Sequence, residues 1–224
     1  LPKLHNYRFP VEDVFEEVRM ITGESYEERQ KISGLSSERA DIIIAGALVI
    51  QEILRKAKAS YLTISGCGLR EGLFFHYYDP IYDKNGDKQH DMLRCSVQNY
   101  LDTLPITYDF HTKYVTATAL AMFDQWQKVH KLDPRMRDIL AAAARLHDIG
   151  NLINYYSHAR HSCYMTANAH IFGWTHSEQV MCALICAFHH GYSGKYLKAN
   201  GQAHILTAAQ MRQVRILSLF LAMA

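Results

Sequence analysis

The sequence predicts a mainly α-helical protein in two parts: helices with one short strand in the first, then an all-helical second part. Three observations predict it. Apolar residues recur at helical spacing in most segments; one run, Tyr61–Ser65, is rich in β-formers and ends in Gly66-Cys67-Gly68; and a polar hinge, Asp79-Pro-Ile-Tyr-Asp-Lys-Asn-Gly-Asp-Lys-Gln-His90-Asp91, separates the parts. Domains are therefore expected over residues 1–78 and 92–224, with a linker over 79–91.

The elements follow in order. Residues 11–22 place Val11, Val14, Phe15, Val18 and Ile21 at helical spacing, with Glu12 and Asp13 in the first turn and Gly23 as the stop. A short helix is expected over 25–31. Ser36 or Ser37 then suits the cap of a helix from Glu38 to about Lys58. Within it, Ile42–Ile50 is apolar throughout but well short of the roughly 20 residues that span a bilayer, so it is expected as a core helix. The strand at 61–65 leads through the glycine turn into a helix at Leu69. Beyond the hinge, helices are expected over 96–104, 111–131, 135–149 with Pro134 at the first helical position, 162–172, 177–189 and 207–224. The last reads as an unfinished buried helix and the first residue is not Met, so the chain is expected to be a fragment, its final domain truncated at the C-terminal end.

Composition narrows the function classes. The 224 residues are 49% apolar and 21% charged, with a formal charge of +2. No strong electrostatic pull toward nucleic acid or an anionic membrane follows from that balance, so neither is expected as a partner. The five cysteines form no C-x-x-C pair and no secretory apolar region opens the chain, which points to the reducing cytoplasm.

Two stretches carry candidate chemistry. The strand, glycine turn and helix around Ser65, Gly66, Gly68 and Arg70 can either hold phosphate on free backbone N–H groups or be a tight turn and nothing more, and Arg70 is the residue that favours phosphate. The second stretch is Ala141-Ala-Ala-Ala-Arg-Leu-His147-Asp148-Ile-Gly150, where Gly150 reads as a helix stop. His147 and Asp148 can reach one point off the helix surface, and the small alanines let neighbouring helices approach with further ligands. His111, His161 and His189 each fall near the end or inner face of another expected helix, giving the metal candidates His111, His147, Asp148, His161 and His189. Taken singly, His111 also suits a cap or core position and His189-His190 a solvated helix end. His158, among others, has no usable partner spacing. Cys182 and Cys186, at i and i+4 on an apolar helix, are expected to pack rather than bind metal.

The order of His111, Leu-His147-Asp148-Ile-Gly150 and later histidines resembles the HD superfamily of metal-dependent phosphohydrolases. That family also carries a distal aspartate on its last helix, which would come just after Leu221-Ala-Met-Ala224. A longer match is carried by Leu35-Ser-Ser-Glu-Arg-Ala-Asp-Ile-Ile-Ile-Ala-Gly-Ala-Leu-Val-Ile50, Leu62-Thr-Ile-Ser-Gly-Cys-Gly-Leu-Arg-Glu-Gly-Leu73 and His158-Ala-Arg-His-Ser-Cys-Tyr-Met165. It is similar to the exopolyphosphatase and guanosine pentaphosphate phosphohydrolase (Ppx/GppA) family.

The resemblance implies the tail of an actin-like α/β lobe followed by an all-α HD-like domain. It also implies magnesium-dependent hydrolysis of polyphosphate or guanosine pentaphosphate in a cleft whose catalytic glutamate and glycine-rich loops lie upstream of Leu1. The full-length protein is then a phosphoanhydride hydrolase, the fragment alone is expected to be inactive, and a homodimer is implied. Ser65, Gly66, Gly68 and Arg70 would line the far side of the cleft, with Arg70 holding substrate phosphate. Family members often carry His in place of Asn151, Leu152 and Tyr156 and an acid in place of Asn154, which favours a structural use of the helices, as a dimerisation surface and channel wall. The alternatives are a nucleotide phosphohydrolase acting through His111, His147 and Asp148 with manganese, iron or zinc, and a non-catalytic regulatory or dimerisation module.

Overall fold

A small antiparallel sheet opens the fold, with β1 (Arg8–Pro10) paired to β2 (Tyr61–Thr63) so that Phe9 lies opposite Leu62. The structure, a computed structural model, describes residues 7–66, 68–70, 72–73, 92–106, 110–201 and 203–224. It is mainly helical and divides into two compact units, one ending at Gly68 and one running from Leu69 to Ala224. The linker expected over 79–91 lies outside the described residues.

In the first unit, α1 (Val11–Gly23) buries Val11 and Val18 and packs on α3 (Ile43–Lys56). Between them α2 (Tyr26–Arg29) begins with a capping box, in which the Ser25 amide donates to the Glu28 carboxylate at 2.8 Å. The helix expected from Glu38 to Lys58 is interrupted: a 3₁₀ turn at Ser37–Arg39 precedes α3. Arg29 supplies a reason. Its Nε donates to the Ala40 carbonyl at 2.9 Å, so that carbonyl serves a side chain from an earlier helix.

The core-helix expectation for Ile42–Ile50 is not met. Leu54 is the buried residue of α3, whereas Ile42, Leu48, Val49, Ile50 and Ile53 are exposed. A helix apolar on every side needs neighbours on every side, and α3 packs along one face on α1. The strand β1 escapes a sequence reading because three residues ending in a proline carry no alternation to detect.

The second unit is built around α7 (Arg135–Leu146). Its neighbours are α4 (Met92–Asp102), α5 (Phe110–Gln125), α9 (His176–Ala187) and α11 (Ala208–Met223), with α6 (Gln127–His130) extending α5, and α8 (His158–Asn168) packed on α9. Met136, Ile139, Leu140, Ala143 and Leu146 form the buried stripe of α7 at helical spacing. Ala142 and Ala144 are buried as well, so the small side chains let helices close in. Pro134 precedes the helix rather than occupying its first turn, and the Asp133 side chain accepts from the Arg135 amide at 2.7 Å.

Helix α9 is buried on nearly every side, from Val180 through Cys186, which makes it the second core element. Thr175 caps it in a box with Glu178, and Glu178 also receives Arg135 Nε at 2.8 Å, tying the starts of α7 and α9 together. Thr207 and Gln210 form the same box on α11. Helix α4 starts at Met92 rather than residue 96, because Leu93 joins Val97 and Leu101 on one buried stripe. Helix α10 (Gly194–Ala199) and the 3₁₀ turns at Ile149–Leu152 and Ala203–Ile205 complete the unit. Among the described residues no helix is long and apolar enough to cross a membrane.

Candidate metal centre

Helix α7 ends at Leu146, which leaves His147 and Asp148 at its C-terminal end, where the unpaired carbonyls favour a cation. His189 stands in the same relation to α9, two residues beyond Ala187. The Asp148 carboxylate lies at the meeting point. Its Oδ2 is 3.6 Å from His111 Nε2 and 3.4 Å from His147 Nε2; its Oδ1 is 3.3 Å from His158 Nε2 and 3.8 Å from His189 Nε2. The His147 and His189 side chains are nearly sealed from solvent, whereas that of His111 is 60% exposed and that of Asp148 31%.

The imidazoles are oriented by a shared device. His147 Nδ1 lies 2.9 Å from the Ala144 carbonyl, His158 Nδ1 3.0 Å from that of Tyr155, and His189 Nδ1 2.7 Å from that of Cys186, each three residues back. A carbonyl can only accept, so Nδ1 carries a proton in all three, and in a neutral ring Nε2 then presents its lone pair to the centre. The same arrangement fixes ring orientation around bound metals.

Burial pushes the His147 pKa down, against the opposing pull of Asp148, and burial pushes His189 down to about 4, so both rings are neutral at pH 7. His158 Nε2 nevertheless sits 3.2 Å from His189 Nε2 and 3.1 Å from His190 Nε2. In neutral rings of this tautomer, the lone pairs of His158 and His189 oppose each other. A shared cation would relieve that opposition.

Two groups offer ligand atoms all within 4.8 Å of one another: His111, His147 and Asp148 in one, and His158, His189 and His190 in the other. The structure thus brings together four of the five metal candidates read from sequence. The fifth, His161, is in neither group; the ideal position of a Cβ on Gly150 would fall 2.8 Å from the Cβ of His161, which places that residue against the 3₁₀ turn. His158 and His190 were missed. The available signal was weak: His158 shares a helix with His161 one turn away, and His190 stands beside His189.

Gly150 makes this approach possible. A Cβ there would meet the His158 carbonyl oxygen at 2.1 Å and the Ser162 amide at 2.4 Å, and the Gly150 amide donates to Ser162 Oγ at 2.8 Å. It is a contact glycine inside a 3₁₀ turn rather than the stop of α7. Ser157, immediately before His158, takes a left-handed conformation at φ 60°. Asn151, Leu152, Asn154 and Tyr156, where the family resemblance expects acid or histidine, are exposed.

Of the phosphate candidates, Ser65, Gly66 and Gly68 close the first unit and Arg70 falls at the start of the second, each exposed. Cys163, Cys182 and Cys186 are buried, and Cys186 Sγ points at the Ala143 carbonyl, in keeping with packing.

Fold and site together define a helical domain whose histidine and carboxylate ligands can hold a divalent cation. The chain belongs to the Ppx/GppA phosphatase family: residues 95–224 match domain III of the Ppx/GppA phosphatases, and residues 3–80 match the Ppx/GppA phosphatase family. It is similar to a guanosine-5'-triphosphate,3'-diphosphate pyrophosphatase of Aeromonas salmonicida (strain A449), at 28% identity over 199 residues. That similarity covers 88% of this chain and 38% of the relative, so the chain spans well under half the length of that protein.

Proposed function

We propose that the chain is the C-terminal portion of a phosphoanhydride hydrolase acting on guanosine pentaphosphate or inorganic polyphosphate, and that its helical unit holds a divalent cation that engages substrate phosphate. Family membership supports the first part, and the name of the Aeromonas relative supports a guanosine polyphosphate substrate. The observation that carries the second is the convergence of His111, His147, His158 and His189 Nε2 atoms on the two oxygens of Asp148.

The donor set fits an imidazole-loving ion. Nitrogen-rich sites suit manganese, iron or zinc, whereas magnesium prefers oxygen ligands and retained water. The magnesium implied by the resemblance goes with the family's phosphate cleft rather than with this histidine cluster. A divalent cation supplies Lewis acidity toward a phosphoryl oxygen and makes water a competent nucleophile near neutral pH. The residues of the chain do the rest. His147 and His189, neutral and locked by their own helices, present lone pairs at no cost in deprotonation; Asp148 offsets cation charge; and exposed His111 leaves the centre open on one side.

The departures at Asn151, Leu152, Asn154 and Tyr156 favour a structural use of these helices, whereas the places of His158 and His190 beside Asp148 and His189 support a working centre. The test is metal content and phosphate release together. The purified chain should retain manganese or iron and release phosphate from guanosine pentaphosphate, with both lost in Asp148→Asn. Metal-free protein with no turnover would overturn the working centre and leave the helices as wall and interface.

A further inference from the structure

Large aromatic rings stand in water next in sequence to His158 and His111, and nothing in the metal chemistry uses them. At the Oδ1 end, Tyr155 is 75% and Tyr156 80% exposed, their rings edge to face at 5.9 Å. Tyr155 also lies 5.9 Å from the ring of His158 and gives that histidine its Nδ1 acceptor. At the Oδ2 end, Tyr114 lies one turn beyond His111 on α5. It is stacked with Phe110, ring centroids 6.2 Å apart and planes 25° from parallel, and Phe110 is 81% exposed.

The Phe110 ring has no polar atom to offset its contact with water, and Tyr155 and Tyr156, although their hydroxyls can bond water, leave large apolar ring faces exposed. Clustered exposed apolar surface beside a concentration of ligating groups marks a binding surface. The occupant is narrowed by what the rings can and cannot hold. An inorganic polyphosphate has no apolar face to place on them. A nucleotide has both parts needed, phosphate for a cation and a planar base for a ring, and base stacking on an exposed aromatic side chain is a common source of nucleotide affinity.

We propose that the helical unit binds a nucleotide with phosphate on the histidine–Asp148 centre and the base stacked on the exposed ring of Tyr155 or Tyr156, making these tyrosines specificity determinants. This rests on the reading of the centre as a cation site. The tyrosines touch the ligand through the base and take no part in phosphate chemistry, so their removal acts on discrimination between nucleotide and inorganic phosphate.

Calorimetry separates the two layers. Manganese is titrated into the chain first, and GDP and pyrophosphate are then titrated separately into the manganese-loaded protein. The expected result is GDP bound at least tenfold more tightly than pyrophosphate, the advantage reduced about tenfold in the double variant Tyr155→Ala/Tyr156→Ala and restored by Tyr155→Phe/Tyr156→Phe, with pyrophosphate affinity unmoved throughout. Both positions are exposed, so the variants should fold; circular dichroism checks it. Manganese uptake with equal GDP and pyrophosphate affinity, insensitive to the tyrosines, overturns the stacking proposal and leaves the metal centre standing. No manganese uptake, with GDP binding still dependent on the tyrosines, overturns the metal centre and supports the base site. Neither manganese nor GDP binding overturns both.

Discussion

The amide of Gly150 donates to Ser162 Oγ at 2.8 Å, and this one bond joins the turn after Asp148 to the helix that carries His158. The two are close enough that no side chain fits between them.

Gly150→Ala should therefore destabilise the second unit by about 1–3 kcal/mol, the usual cost of overpacking, because the new methyl would meet backbone atoms that cannot swing aside. It should also weaken manganese binding by displacing His158. Gly46→Ala is the contrast: Gly46 lies inside α3 with nothing within 4 Å of its would-be Cβ, and the substitution should stabilise by up to about 1 kcal/mol. Thermal melts of both variants decide it; equal effects would contradict the packing argument.

Manganese should raise the melting temperature of the chain in proportion to the logarithm of its free concentration once the site saturates, since the ion binds the folded site. Asp148→Asn keeps the shape of the side chain and removes its charge. In that variant the shift should vanish, while the melt in chelator stays close to that of the parent. A retained shift would place the ion elsewhere.

Acid should unfold the second unit in a way traceable to His189. Burial holds its folded pKa at about 4, below the ordinary histidine value of about 6.5. Protons then favour the unfolded chain, so the full stability is present above about pH 6.5 and is lost as pH falls toward 4, by on the order of 3 kcal/mol. In metal-free protein, His189→Gln should flatten that part of the stability profile. A profile unchanged by the substitution would remove His189 as the cause.

Ser157 holds φ 60° with no side-chain bond to the start of α8. Glycine has no penalty in that region, so Ser157→Gly should raise stability by about 1 kcal/mol, less whatever entropy the unfolded chain regains. Denaturant melts would show it, and a loss of stability would mean that the serine makes a contact worth more than its strain.

Much of the helical order was legible because its signals are local: the Asp133-Pro134 start of α7 and the helical spacing of Val11, Val14 and Val18 in α1. Adjacent His147 and Asp148 were legible as a pair for the same reason. His158 was not. Its place at the centre depends on a left-handed serine, on a close approach at Gly150 and on the packing of α8 against α9, none of which leaves a periodic trace. The exposed face of α3 was misread because periodicity records which residues are apolar, and burial depends on which neighbours come near.

The alanines of α7 set a limit on how this chain can drift. Ala142, Ala143 and Ala144 are buried between helices that deliver the ligands, so a larger side chain there forces those helices apart and carries the histidines with them. Substitution at these positions is tolerated only where it adds little or no volume. Over evolutionary time the stretch is free to exchange alanine for glycine or serine and for little else, whether or not the histidines beyond it continue to serve.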